Sequence, residues 1–162
     1  MDVKKLVSKS VDFRYYCSGL LCYGIFMVIF LTLAIVSVND SLVSARLASI
    51  TGFILLIPFI FYCAIRIILL FAGSKNYYIY TADVLEVHNE HFALFRHSCS
   101  FTLTIHKDDG SDFTSGTSGI FKASDFSSTY FGNYVNKTLK VLYNPKNKTV
   151  IVVGTLDPEQ ST

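Results

Sequence analysis

Residues 15–38 read YYCSGLLCYGIFMVIFLTLAIVSV, and residues 47–65 read LASITGFILLIPFIFYCAI. Neither stretch carries a formal charge. The hydrocarbon core of a bilayer is about 30 Å thick and takes roughly 20 apolar residues as a helix, so both runs reach a spanning length. A surface helix of a soluble protein shows a polar stripe, and neither run has one. In hydrocarbon each backbone group must be bonded within its own segment. Segment 15–72 therefore predicts two transmembrane helices, about 17–38 and 47–70, joined by a short loop at Asn39–Arg46. Pro58 reads as a tolerated kink in the second helix.

The charges that flank these runs set an orientation. Lys4, Lys5, Lys9 and Arg14 precede the first helix, Arg66 and Lys75 lie at the end of the second, and Arg46 sits in the loop. The excess of Lys and Arg on one side predicts both termini in the cytoplasm and the loop outside. Arg46 and Arg66 bracket the second run roughly 30 Å apart along a helix, one at each membrane face. Arg66 is expected to snorkel, with its stem in lipid and its guanidinium among headgroups. Arg14, Tyr15, Tyr16 and Lys75 are the other candidate interface residues, since phenol rings and cations suit that layer. Val43-Ser44-Ala45 loosely resembles a signal-cleavage site, but the first run exceeds the 7–15 residues of a signal core. Met1–Arg14, with Val3, Leu6, Val7 and Val11 between lysines, reads as a basic interfacial arm lying along the headgroups.

The chain has 162 residues and a net charge of +2. Beyond the hairpin roughly 90 residues remain, enough for one small domain with a modest core. No basic stripe with interleaved aromatics is present, which argues against nucleic acid as a partner. The four cysteines, Cys17, Cys22, Cys63 and Cys99, form no C-x-x-C pair, and in a reducing compartment they are expected as thiols. Gly73 suits the carboxyl cap of the second helix.

From Tyr77 onward the period changes. Tyr77–Val87, Phe92–His97, Ser100–His106, Asp112–Thr117, Leu139–Tyr143 and Thr149–Val153 read as strands. In Ser100–His106 the apolar residues Phe101, Leu103 and Ile105 alternate with polar ones. Leu139, Val141 and Tyr143 would share one face. His88–His91 reads as a polar turn, Asp109-Gly110 as a hairpin turn, and Asn144–Lys148 as a proline turn. Ser118–Tyr134 has no clear period beyond one possible helical turn at Ala123–Phe126. The expectation is a β domain over 77–155, a five- to six-stranded antiparallel barrel or curled sheet of OB-like or SH3-like size, and a frayed tail over 156–162.

This tail resembles a bacterial family of membrane-anchored β domains, the domain of unknown function numbered 3592. The likeness runs over roughly Thr81–Val153. Its carriers are Asp83-Val84-Leu85-Glu86-Val87, the Ser100–Ile105 strand with Asp109-Gly110, and the closing Val141-Leu142-Tyr143-Asn144-Pro145-Lys146-Asn147. Members typically close with valine-x-tyrosine-aspartate-proline, so here Asn144 stands where the aspartate would be. The resemblance implies a bacterial plasma-membrane location and no assigned activity.

Three constellations invite chemistry. His88-x-x-His91 with His97-x-Cys99 suggests a metal, but standard ligand spacing is not met, and two histidines four apart on a helix, the zincin pattern, are absent. Ser115-Gly116-Thr117-Ser118-Gly119 lacks both the nucleophile elbow and the lysine of a phosphate loop, and reads as ordinary loop. Phe121, Phe126, Tyr130, Phe131 and Tyr134 form an aromatic cluster that reads either as core or as a partner-binding surface. No cofactor is implied. The expected function is non-catalytic: a small membrane protein presenting a cytoplasmic β module that docks a protein partner. The alternatives are an immunity protein against a membrane-acting toxin and a histidine-based metal sensor or enzyme.

Overall fold

The computed structural model describes residues 2–36, 43–93, 96–117, 120–122 and 134–153, with residues 89–93, 96–98 and 120–122 as backbone only. The chain divides into two units, residues 16–69 and, as the second, residues 1–15 with 70–162.

The first unit is the helical hairpin. Helix α2 runs Val11–Val36 and helix α3 runs Val43–Ala72, with Pro58 inside α3. Both are long and apolar enough to cross a membrane. They meet along one face of each. Tyr16 contacts Arg66, Tyr23 lies 5.5 Å from Phe59, and the two glycines of the seam receive bulk from across it. A side chain at Gly19 would meet Cys63 Sγ at 3.0 Å, and one at Gly52 would meet the Phe30 ring at 2.9 Å. Close packing through small residues is how apolar helices associate where lipid competes equally for Leu and Ile. Away from the seam Leu21, Ile35, Phe61 and Ile68 are exposed.

The second unit is one antiparallel sheet with a short helix on it. Strands β1 (Tyr78–Ala93), β2 (Arg96–His106), β3 (Asp112–Gly116), β4 (Ile120–Lys122), β5 (Thr138–Asn144) and β6 (Thr149–Val153) follow in sequence. The order across the sheet is β3-β2-β1-β5-β6, with β4 pairing β2 beyond β3. The sheet is open, not closed into a barrel, which corrects the barrel form of the expectation and keeps the strand count. Expected strands Phe92–His97 and Ser100–His106 differ from those observed. Strand β1 continues through His88–His91, pairing Asn89 with Cys99 and Glu90 with Ser98, and β2 absorbs His97. The polar turn expected at His88–His91 is thus a strand whose backbone is held by its neighbour, so turn propensity is overridden by pairing. Two register shifts, at Val84/Glu86 and at Glu90/Phe92, accompany this length. At the first, Asn136 N–H donates to Val84 O (2.8 Å) and Val84 N–H donates to Lys137 O (3.0 Å). Asn136 has φ 64°, a left-handed conformation that asparagine tolerates better than most residues.

One sheet face holds the main core: Ala82, Val84, Phe101, Leu103, Ile105 and Val141 are fully buried. The Phe101, Leu103, Ile105 alternation is therefore observed as expected. The opposite face of β5 and β6 is covered as well. Leu142 and Ile151 pack there with Leu6 and Val7 of helix α1 (Val3–Val7), and with Leu70, Phe71, Tyr77 and Ile79. Residues 141–143 and 150–153 are apolar on consecutive positions because both faces of the sheet are covered there.

The amino-terminal arm is accordingly part of the sheet unit. Its apolar residues, expected to face headgroups, bury against protein: Val7 is fully buried and Leu6 nearly so. Asp2 caps α1 by accepting the Lys4 N–H at 3.0 Å. Ser10 then starts α2, accepting the Phe13 N–H at 3.2 Å while its hydroxyl donates to Val7 O at 2.6 Å. Ser10 also forms an antiparallel bridge with Val153. Helix α2 begins four residues before Tyr15 because Ser10 is a good N-cap and Asp12 in the first turn suits the helix dipole.

Candidate functional site

At the start of β1 and the end of β5 the core face opens into a groove of about 390 Å³ lined by Tyr78, Tyr80, Lys107, Phe113, Tyr143 and Pro145. Its residues come from adjacent positions in the ladder. Tyr78 pairs with Tyr143, and Tyr80 with Val141, across β1 and β5. Phe113 pairs with Ile105 across β2 and β3. Residues two apart on a strand share a face, which places Tyr78 beside Tyr80. The rings form a tier: Tyr78 to Tyr80 6.4 Å at 18°, Tyr80 to Tyr143 6.5 Å, and Tyr143 to Phe113 4.9 Å. Tyr78 is 57% exposed. Lys107 Nζ lies 5.1 Å from the centre of the Phe113 ring.

The two turns beside the groove are built as read. In Lys107–Ser111, Gly110 has φ 79° and donates its N–H to Lys107 O at 3.0 Å. The Asp109 carboxylate accepts the Ser111 N–H (2.8 Å) and hydroxyl (2.5 Å). These bonds, together with the charge of Lys107, hold the Asp109 carboxyl below its usual range. In the other turn Asn144 Oδ1 accepts the Lys146 N–H at 3.0 Å, a bond that an aspartate would make equally well. Burial first, and then the charge of Asp108, push the Tyr80 phenol above its ordinary value.

A second cluster lies on the opposite face of the sheet. His106 Nδ1 sits 2.9 Å from Asp112 and Nε2 sits 3.1 Å from Asp83, while the Thr138 hydroxyl donates to Asp83 at 2.5 Å. A carboxylate only accepts, so both ring nitrogens must donate and the bound form is imidazolium. Hydrogen bonds to Asp112 and then Asp83 raise the His106 pKa, and those from Thr138 and His106 lower that of Asp83. His106 therefore contributes fully below about 6.5, its ordinary value, and its contribution fades as pH rises through the raised folded value. Asp83 contributes fully above about 3.8 and loses its contribution as pH falls through the lowered one. The sheet unit should thus be most stable between these limits. His106→Gln should flatten the decline from pH 6 to pH 8, with a loss of only a few degrees in Tm at pH 6, as the cluster is more than a third exposed. Thermal unfolding at the two pH values checks this.

Other expected site residues fall as follows. Arg66 Nε donates to the Tyr16 hydroxyl at 3.0 Å, and its guanidinium lies over the Tyr16 and Tyr62 rings at 5.5 and 6.0 Å. Arg66 thus clamps α3 to α2, where the sequence reading gave it no partner on the first helix. Arg14, Arg46 and Lys75 are exposed, and Tyr15 is half-buried. Tyr134 is buried with its ring 5.7 Å from Phe101, which makes it core. Phe121 lies in β4 with only its backbone described, and Phe126, Tyr130 and Phe131, like the possible turn at Ala123–Phe126, lie outside the described residues.

The metal candidates do not converge among the described residues. His88 Nε2 is 2.8 Å from Thr102 Oγ1 and 3.5 Å from Glu86, Cys99 is buried in the core, and the side chains of His91 and His97 are not described. Among the described residues no group of three metal-ligating side chains forms. Both the groove and the Asp83–His106–Asp112 cluster were missed in the sequence, because each depends on cross-strand register. The signal for the second was available: alternation puts His106 on the polar face, and the Asp-Gly turn sets Asp112 opposite it. No family model, curated protein or solved structure matches the chain.

Proposed function

We propose that the chain is a non-catalytic membrane protein, anchored by α2 and α3, whose sheet unit docks a protein partner through the aromatic groove at the start of β1. The observation that carries this reading is the groove itself. Aromatic rings are the side chains that most often dominate binding energy, and here Tyr78 is left open on a sheet whose other core residues are buried. The anchoring half is supported by two helices clad in exposed apolar side chains, which need a hydrocarbon cover. The lysines flanking the helices favour termini and sheet in the cytoplasm. The Asp83–His106–Asp112 cluster reads as structural, since both imidazole nitrogens are committed to carboxylates and the Thr138 hydroxyl faces Asp83.

Placing a photo-crosslinking residue at Tyr78 should yield a discrete protein adduct in intact cells. The same residue at Thr114, exposed on the polar face, should not. Equal adducts from both positions, or none from Tyr78, would count against the groove as the docking surface.

A further inference from the structure

We propose that α1, the 3-10 helix Gly73–Asn76 and the β5–β6 hairpin together form a docking surface for anionic lipid headgroups, and that this contact holds the amino-terminal arm on the sheet; this rests on the anchoring half of the reading above and not on the groove. Leu6 and Val7 of α1 pack with Leu142 and Ile151 of the hairpin, and Leu70 and Phe71 from the end of α3 join the same cluster. Lys4, Lys5 and Lys9 stay exposed. A basic amphipathic helix ordinarily inserts its apolar stripe among headgroups. Here protein already covers that stripe, so charge is what the arm offers a membrane.

The elements packed around the arm carry the same sign. Lys75 is exposed in the 3-10 helix. The β5–β6 hairpin, residues 138–153, contains three lysines, all exposed, and no Asp or Glu. Among the described residues none of these lysines forms an ion pair. The acidic groups of the arm do not offset them: Asp2 caps α1, and Asp12 is only 8% exposed. Residues 83–112 have the opposite character, with six acidic residues against Arg96 and Lys107. Charge is thus sorted within the sheet unit, and the cationic share lies on the elements that hold Leu70 and Phe71. Those two residues close an apolar span, and Lys75 follows directly after it. A basic residue beside a span strengthens contact with an anionic leaflet by about fivefold. Lysines of α1 and of the hairpin share one surface only while Leu6 and Val7 sit on Leu142 and Ile151. Lipid that binds both therefore stabilises that packing.

The test is hydrogen exchange on the full chain in nanodiscs of phosphatidylcholine alone and of phosphatidylcholine mixed with phosphatidylglycerol. Amides of residues 6–10 and of β6 should exchange at least roughly threefold more slowly with phosphatidylglycerol. The difference should shrink at high salt, which screens exposed charges. Lys4→Gln, Lys5→Gln and Lys9→Gln made together replace only exposed side chains. They should remove most of the difference and leave the rates in phosphatidylcholine unchanged. Lys146→Gln with Lys148→Gln, in the exposed β5–β6 turn, should reduce the difference separately, and this pair reports even where the arm variant fails to fold. Inorganic phosphate added to phosphatidylcholine nanodiscs should have no effect. Equal rates in the two nanodiscs, or an undiminished difference in both sets of variants, would overturn the proposal. Faster exchange with phosphatidylglycerol would overturn it too, since the arm would then have left the sheet to insert among lipids. Slowing by phosphate alone would make this a site for a free anion and remove the lipid. In each of these cases protected amides in α2 and α3 between residues 16 and 69 leave the anchoring reading standing. Unprotected amides there in both nanodiscs remove the anchoring reading and the lipid contact with it.

Discussion

Val7→Asp is expected to unfold the sheet unit while α2 and α3 remain helical. Val7 is fully buried between α1 and the outer face of β5 and β6, among Leu6, Leu142 and Ile151. The replacement deletes a packed apolar side chain and puts a carboxylate where water is excluded. The polar neighbours on that turn are already engaged: the Ser10 hydroxyl donates to Val7 O and also accepts the Phe13 N–H. An unpaired buried charge costs several kcal/mol or forces protonation, against a whole stability of roughly 5–15 kcal/mol for a domain. Hydrogen exchange on the full chain in nanodiscs reads the outcome. Amides of β5 and β6 should lose protection, while those of α2 and α3 between residues 16 and 69 keep theirs. An arm lying on headgroups would tolerate the change, so unaltered protection in β5 and β6 would show that the arm is not part of the sheet core.

The second large effect is expected at Phe101→Ala. Phe101 is fully buried at the centre of β2, with the Tyr134 ring 5.7 Å away. Its neighbours Val84, Leu103 and Val141 belong to the same cluster and are themselves fully buried, and held by the sheet ladder they have little freedom to collapse into the gap. A Phe→Ala change in such a core costs about 3–5 kcal/mol. Urea unfolding followed by the β-sheet signal should show the midpoint fall without a change in slope. Phe113→Ala, at the half-buried groove, should cost clearly less. If the two costs were equal, the core would not be centred on β2.

The parts of the fold that were legible in the sequence are those set by neighbours along the chain. The charge-free runs announce the two helices, the alternation in Ser100–His106 announces β2, and Asp109-Gly110 announces its turn. What was not legible depends on residues far apart. Val3, Leu6 and Val7 make an apolar stripe that would suit a headgroup layer or a protein surface equally. The consecutive burial of Val150, Ile151 and Val152 is the trace of a second covered face. That trace could have assigned the arm to the sheet. His88–His91 looks like a turn because its residues are polar, yet strand pairing to β2 decides its backbone. The first apolar run contains no acidic residue to pair with Arg66, and its partner there is Tyr16, which offers both a hydroxyl and a ring. The groove needed the pairing of Tyr78 with Tyr143 and of Phe113 with Ile105, and no local pattern encodes either.

Anchoring by two membrane spans, with the sheet on the lysine-rich side, is the claim on which the rest of the functional reading stands. The most direct measurement is labelling of intact cells with a membrane-impermeant thiol reagent, comparing Ser41→Cys with Ser111→Cys over the unsubstituted chain. Ser111 is exposed in the β2–β3 turn, and Ser41 lies between the two apolar runs. The expected result is labelling at position 41 in intact cells, and at position 111 only after the membrane is opened. Labelling at position 111 but not 41 in intact cells would reverse the orientation, and labelling at neither until the membrane is opened would contradict a hairpin that crosses it.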